Sequence, residues 1–450
     1  VVILRLELEK LRGWVNPADA FLGMHAGDDN AFWLDRATNP DEAITIIGSA
    51  GSIIRLGDEA FQIAADHLSR IKQEISHQPE EEIPFSFRPG LVGYLGYELA
   101  SGARESVTHP KAQLMVVDRA MVFDHKNKTM YFIGLFETRA DFDNWYRAAL
   151  LRITLIGGVY AAFMQETKEP KIISTKLRHS KESYLELIKK CKEYIARGDV
   201  FQLCLTNQIL IELDANALKT YLSLKEKNPA PYSSFIKLGG LEIVSSSPEQ
   251  FLKVSSLGKV STKPIKGTRP RSTDLIEDQA FAKELAENQK EQAENLMIVD
   301  LMRNDLGRVS EPESVMVEKL FDVESYATVH QLVSTVTGQL KPGQSATSAL
   351  AACFPAGSMT GAPKIRAMEI LKELEAAPRG IYSGAIGYLG FDGSADFGMT
   401  IRTLVFEGNF ASLGVGGGIT IDSDPESELQ ETMLKAEALM RTLGGVSWKI

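Results

Sequence analysis

Cysteine is scarce in this 450-residue chain: Cys191, Cys204 and Cys353 are too few and too scattered for a disulfide framework or a zinc site. They read as reduced thiols of a cytoplasmic protein. A basic excess is also missing. Lys and Arg number 49 against 59 Asp and Glu, giving a net charge of -10, and a polyphosphate partner needs the opposite sign, so nucleic acid is not expected. Nor is there a long apolar run. The most apolar stretch, residues 153–164, is too short to cross a bilayer and is interrupted by Thr154 and Gly157-Gly158, so no membrane partner is expected. The opening residues alternate apolar and charged types, as a strand does, and lack the cationic start of a signal peptide. What remains is ordinary globular composition, 44% hydrophobic and 24% charged, with length for two domains or one large one. Such an acidic chain can serve an anionic substrate only by gathering its cations locally.

Residues 165–183 are polar, contain Pro170 and show little periodicity, so they read as a boundary between residues 1–170 and 171–450. Before it, strands are expected at 31–35, 44–47, 91–95, 114–123 and 130–136, with a helix over 58–75. Gly90, Gly93 and Gly96 in GLVGYLGYE mark a strand approached closely by another element. After it, a helix over 181–197 leads into strands at 202–211, 234–238, 241–245, 250–254 and 259–264. One long helix fits 275–301 and another starts near Pro363. Strands follow at 382–391, 396–406 and 410–421, and Asp422 or Asp424 caps a last helix. Gly239-Gly240, Asp392-Gly393 and Gly408-Asn409 sit where hairpins turn. Hairpins dominate over βαβ units, so the expected class is α+β with large, mainly antiparallel sheets in a sandwich-like core.

Two nucleotide motifs fail on inspection. Ile419 breaks the dinucleotide fingerprint in LGVGGGIT, and in GSMTGAPK Pro363 stands where a phosphate loop needs Gly before Lys364. Gly416, Gly417 and Gly418 either bring backbone N–H groups to an anion or form a bulged strand at a crowded crossing. Residues 358–361, just before a helix, are a second anion candidate. PIKGTRPR (264–271) clusters Lys263, Lys266, Arg269 and Arg271; a lysine crowded by cations is expected to have a depressed pKa, which makes its amine nucleophilic. Arg402, in an otherwise apolar strand, either pairs with an acid or clamps a ligand carboxylate. Glu291 and Glu294 share a face of one helix, and Glu428, Glu431 and Lys435 share a face of another. Such pairs either hold Mg²⁺ or line a solvated face. Glu249 in SSSPEQ is an acid or a turn residue, and His330 by itself reads as a structural histidine.

Taken together, SSSPE (245–249), PIKGTRPR (264–271), KEQAENLMIVDLMRNDLGRV (290–309), HQLVST (330–335), FPAGSMTGAPKIRAMEIL (354–371), GAIGYL (384–389), TIRTL (400–404) and the GGGI and ESELQETMLKA segments resemble the chorismate-utilising enzymes in order and spacing. The resemblance makes 171–450 the chorismate-binding catalytic region and 1–170 its accessory region. It implies chorismate as substrate, Mg²⁺ as cofactor and a glutamine amidotransferase subunit as ammonia donor. Gln202 stands where water-adding members carry a lysine base, which disfavours water activation, and Lys266 stands where anthranilate-forming members carry Ala, which points to amination at carbon 4 of the ring, with anthranilate formation as the alternative. By the same resemblance Lys266 attacks carbon 2, Glu249 is the general acid/base and His330 lies near the leaving hydroxyl. Glu294 and Glu431 would bind the metal with help from Glu291 and Glu428. Gly267, Thr268, Tyr382, Arg402, Lys435 and the Gly416–Gly418 amides would hold the substrate carboxylates. Tryptophan-binding members carry Leu-Asp-Ser or Leu-Glu-Ser in the first half. Here that stretch reads Leu34-Asp35-Arg36, while Pro231-Tyr232-Ser233 retains the other wall, so tryptophan binding stays open.

Overall fold

The expected hairpins form, and they assemble into two stacked sheets. The computed structural model describes residues 3–100 and 109–445. Gly239 and Gly240, both at positive φ, turn Tyr232–Leu238 back onto Leu241–Ser247, the left-handed conformation that such tight turns demand. Gly408, also at positive φ, does the same between Thr403–Glu407 and Phe410–Ile419. Among the described residues one sheet has thirteen strands and the other ten.

Four layers result. The space between the sheets is filled by Phe32, Ile46, Ile236 and Ile243 from the larger sheet against Val92, Tyr94, Ile386 and Tyr388 from the smaller. Helices Pro17–Met24, Arg139–Leu155, Ala217–Lys227 and Pro425–Thr442 cover the outer face of the larger sheet. Ala60–Glu74, Gln289–Gly307 and Ala346–Cys353 cover that of the smaller. This is the expected α+β class, with sheets buried on both faces. No single described helix is long and apolar enough to cross a membrane.

Strands from before and after residue 170 interleave in both sheets: Asn30–Asp35 pairs with Tyr232–Leu238, and Gly90–Leu95 pairs with Ala385–Gly390. Gly93 lets the strand's other neighbour, Ala112–Val117, lie close, since a Cβ there would come 2.0 Å from the Gln113 carbonyl oxygen. Glu98, at the end of the same motif, accepts the backbone N–H groups of Arg379 (2.7 Å) and Gly380 (3.0 Å).

Four segments depart from the sequence reading. The run 114–123 is two strands, Ala112–Val117 in the smaller sheet and Arg119–Asp124 in the larger, because the chain changes sheets at Asp118. The helix over 275–301 breaks at Asn288, whose side chain accepts from the Glu291 N–H and starts a second helix, Gln289–Gly307; a side-chain cap outweighed uninterrupted periodicity. The polar stretch read as a boundary contains a strand, Lys171–Leu177, at the edge of the larger sheet, where polar residues face solvent on an edge. The strand over 396–406 is also two, Ala395–Met399 and Thr403–Glu407, one in each sheet. That crossing places Arg402 between the sheets.

Candidate functional site

The site is built where the long strand Gln202–Asp214 begins, beside the glycine run of Phe410–Ile419. Cys204 pairs with Gly418, Leu205 with Gly417 and Thr206 with Gly416. Residues of the neighbouring strand Thr403–Glu407 pair only with Phe410 through Leu413, so beyond Leu413 the glycine strand has a ladder partner on one edge alone. Each glycine answers a different constraint. A Cβ at Gly416 would lie 2.4 Å from the Leu205 carbonyl oxygen, and one at Gly418 would lie 2.2 Å from Gln202 Nε2 and 3.2 Å from Lys266 Nζ. Gly417 has room and faces Glu428, Thr432 and Lys435. A side chain at Gly416 or Gly418 would therefore displace backbone or fill the space in front of Lys266.

Lys266 sits on the strand Ile265–Pro270, which bulges at Gly267. Gly267 has φ +71, left-handed backbone that favours glycine, and a Cβ there would press on Glu291. The cation cluster of PIKGTRPR does not surround Lys266. Lys263 pairs with Asp41 (2.7 Å), Arg269 with Glu284 (2.5 Å) and Arg271 with Asp278 (2.8 Å). Lys266 instead points inward, with Nζ 3.4 Å from Glu294. Burial disfavours its charge, but Glu294 and Glu249 outweigh burial and its pKa lies above the ordinary lysine value. The expected depression is thus absent, because alternate residues of a strand face opposite ways and the other cations spend their charge elsewhere.

Glu249 is buried, just after the strand Leu241–Ser247, and one carboxyl oxygen accepts from Ser358 Oγ at 2.8 Å. Burial pushes its pKa up to about 7, against the pull of Ser358, Lys266 and Arg402. Arg402 has φ +49, a strained conformation for a side-chain-bearing residue. Burial lowers its pKa, and among the described residues Glu249 is the one charge that offsets this. Neither Glu249 nor any other described carboxylate forms an ion pair with it, which leaves the guanidinium fork for a carboxylate from outside.

The two helix faces of carboxylates meet across the site. Burial and then Glu294 push the Glu291 pKa up; burial and Glu431 do so for Glu428, whose side chain accepts from Ser423 Oγ at 2.7 Å. Lys435 joins the group, 2.8 Å from Glu431 and 3.2 Å from the Gly416 carbonyl oxygen. Among the described residues no three carboxylates converge as a ready metal cage. Mutually repelling carboxylates of this kind nevertheless fit Mg²⁺, which takes one or two of them and keeps waters or ligand oxygens in its other positions.

Other site candidates lie in varied surroundings. Tyr382 is buried, its ring against Gly414, where a Cβ would collide at 2.0 Å. Thr268 is exposed, next to the bulge. His330 is not joined to Lys266 or Glu249 by any described hydrogen bond; its ring nitrogens meet Asp278 (3.0 Å) and Ser325 (2.8 Å). Lys364 is consumed structurally, bonding Asp305 and the carbonyl oxygens of Cys353 (2.9 Å) and Pro355 (2.8 Å), so the phosphate-loop likeness has no free lysine. Sequence reasoning did not pair Ser358 with Glu249, and it missed the buried Arg379–Glu375 ion pair at 2.7 Å. The i,i+4 spacing of that pair was the available signal. In the first half, the Arg36 guanidinium stacks 4.2 Å from the Tyr232 ring centroid and lies 3.5 Å from Asp396.

Comparison with known proteins matches the family described as chorismate binding enzyme over residues 29–441. The aminodeoxychorismate synthase of Streptomyces griseus is 39% identical over 449 residues, covering 94% of this chain and 62% of that protein. Anthranilate synthase component 1 of Streptomyces coelicolor is 34% identical, covering 97% of this chain and 88% of that one. The solved anthranilate synthase component I from Streptococcus pneumoniae superposes with a TM-score of 0.74 at 28% identity, covering 97% of this chain and 92% of that one. The chain therefore spans less than two thirds of the length of the aminodeoxychorismate synthase it matches.

Proposed function

The chain belongs to the chorismate binding enzyme family, and on that premise we propose that it aminates chorismate at carbon 4, giving 4-amino-4-deoxychorismate on the route to 4-aminobenzoate and folate. Arg402 takes one substrate carboxylate as a fork; the Gly416–Gly418 amides and Lys435 take the other. Gly267, Thr268 and Tyr382 complete the substrate walls. Lys266 Nζ forms a bond to carbon 2 while the carbon 4 hydroxyl departs as water, carrying the proton of Glu249. Ammonia then bonds to carbon 4 and the Nζ–carbon 2 bond breaks. Because Nζ is held as an ammonium in the free protein by Glu294, it must give up a proton before it attacks.

Glu294 and Glu431 would hold Mg²⁺, with Glu291 and Glu428 helping directly or through water. When bound, the ion supplies Lewis-acid withdrawal of electrons through the ring carboxylate. The ammonia source is read as a glutamine amidotransferase outside these 450 residues. Cys191, Cys204 and Cys353 are all buried and their pKa values are raised by burial, the reverse of what a nucleophilic thiolate needs.

The observation that carries this reading is Lys266 itself, turned inward beside Glu294 and against Gly418 while its cationic neighbours pair with acids of their own. Intact-protein mass spectrometry tests it. Chorismate without ammonia should add the mass of chorismate less one water, on a peptide containing Lys266, and a substrate-loaded protein of unchanged mass under trapping conditions contradicts the covalent step.

We also read the tryptophan pocket as self-filled, since Arg36 lies on the face of Tyr232. Excess tryptophan is then expected to leave the melting temperature unmoved, because only a ligand that binds the folded state raises it. A saturable rise would contradict this.

A further inference from the structure

Glu249 lies among four partners from three separate parts of the fold. Ser358 Oγ is 2.8 Å from its Oε1, and the Ile265 N–H and the charges of Lys266 and Arg402 favour its ionised form. Of these, the serine stands on a turn whose backbone is anchored on both sides. It belongs to a short turn, Gly357–Met359, whose last carbonyl oxygen accepts from Arg379 Nη1 at 2.6 Å. Arg379 is fixed in turn by Glu375, by the Cys204 carbonyl oxygen at 2.8 Å and, through its backbone N–H, by Glu98 at 2.7 Å. On the other side of the turn, Lys364 ties down Cys353 and Pro355. Ser358 Oγ has one further neighbour, Met399 Sδ at 3.3 Å, a weak acceptor.

We propose that Ser358 is a positioning residue for the acid: its hydroxyl occupies Oε1 of Glu249 and so reserves Oε2 for the proton given to the leaving hydroxyl. This rests on the chorismate-amination reading above. The chemistry is a matter of timing. While Glu249 is neutral the hydroxyl makes an ordinary hydrogen bond. As the Oε2 proton passes to the departing oxygen and the carbon–oxygen bond breaks, negative charge develops on the carboxylate. The same bond then becomes charge-assisted and about twice as strong. Stabilisation that grows toward the transition state raises kcat rather than substrate affinity. The Arg379–Glu375 pair carries the turn and does not itself meet the acid.

The test compares wild type, Ser358→Ala and Ser358→Thr for chorismate consumption with ammonium and Mg²⁺ across pH, with thermal melts of each. Ser358→Ala should lower kcat roughly tenfold to a hundredfold, as loss of a hydrogen bond to a charged group does, with the KM for chorismate nearly unchanged. Its alkaline limb should move upward, because the serine favours the ionised carboxylate. Ser358→Thr, which keeps the hydroxyl, should restore both. A folded Ser358→Ala protein with wild-type kcat and pH limb overturns the inference, and so does a loss confined to KM. Failure of wild type to consume chorismate would instead overturn the reading on which the inference rests. Should Ser358→Ala not fold, Ser358→Cys fills the same position with a slightly larger side chain and a far weaker donor and must show the same kcat loss and upward limb; wild-type behaviour there overturns the inference equally.

Discussion

Lys266→Ala is expected to reduce amination of chorismate by more than about a thousandfold, the scale on which loss of a covalent nucleophile is felt. The fold should survive. The Lys266 side chain makes one ion pair, with Glu294 at 3.4 Å, and its strand Ile265–Pro270 is held by pairing with Val329–Gln339 rather than by that contact. Binding should also survive in part, because Arg402, Lys435 and the glycine amides are untouched. The measurements are steady-state rates with ammonium and the mass of the protein after chorismate addition. The variant should bind chorismate, turn it over at a trace rate and never gain mass. Lys266→Ala with undiminished amination would remove the covalent step.

Glu249→Gln should cost roughly a hundredfold to ten thousandfold in kcat, the usual span for a general acid. Its more diagnostic effect is on pH. The carboxyl pKa is raised by burial to about 7, so wild type should be most active where Glu249 is protonated and should fall off as pH rises through about 7. The variant should lack that limb. Stability carries the same sign. A carboxyl whose folded pKa exceeds its unfolded one holds extra protons in the folded state, so stability falls as pH rises from the ordinary carboxylate range through about 7. Glu249→Gln should flatten this part of the curve, readable by denaturant titration at several pH values. An unchanged alkaline limb in a Glu249→Gln protein would assign that limb to another group.

Local rules carried much of the fold because hairpins, caps and alternation are short-range. Gly239-Gly240 and Gly408 turn where expected, and Asp424, not Asp422, caps the last helix with Pro425 at its first position. What was hidden was long-range. Asp118-Arg119 and Thr400 could as well lie inside one continuous strand as mark where the chain leaves one sheet for the other, since apolar residues resume directly after each. The second crossing matters most, for it turns Arg402 from a strand residue into a residue between sheets. Site chemistry followed the same division. The spacing of Glu291 with Glu294 and of Glu428 with Glu431 is legible on a helix. The true environment of Lys266 is not: a linear cluster of cations suggested a depressed pKa, whereas side-chain direction gave Lys263, Arg269 and Arg271 acidic partners of their own. Likewise the acidic balance of the whole chain says little, because separate elements bring Lys266 and Arg402 near Glu249 and Lys435 to Glu431 beside the glycine run.

Product identity after incubation with chorismate, ammonium and Mg²⁺ tests the central claim most directly. By mass and retention the main product should be 4-amino-4-deoxychorismate, which keeps the pyruvate group. Anthranilate as the main product would mean that pyruvate leaves after amination and would contradict the assignment.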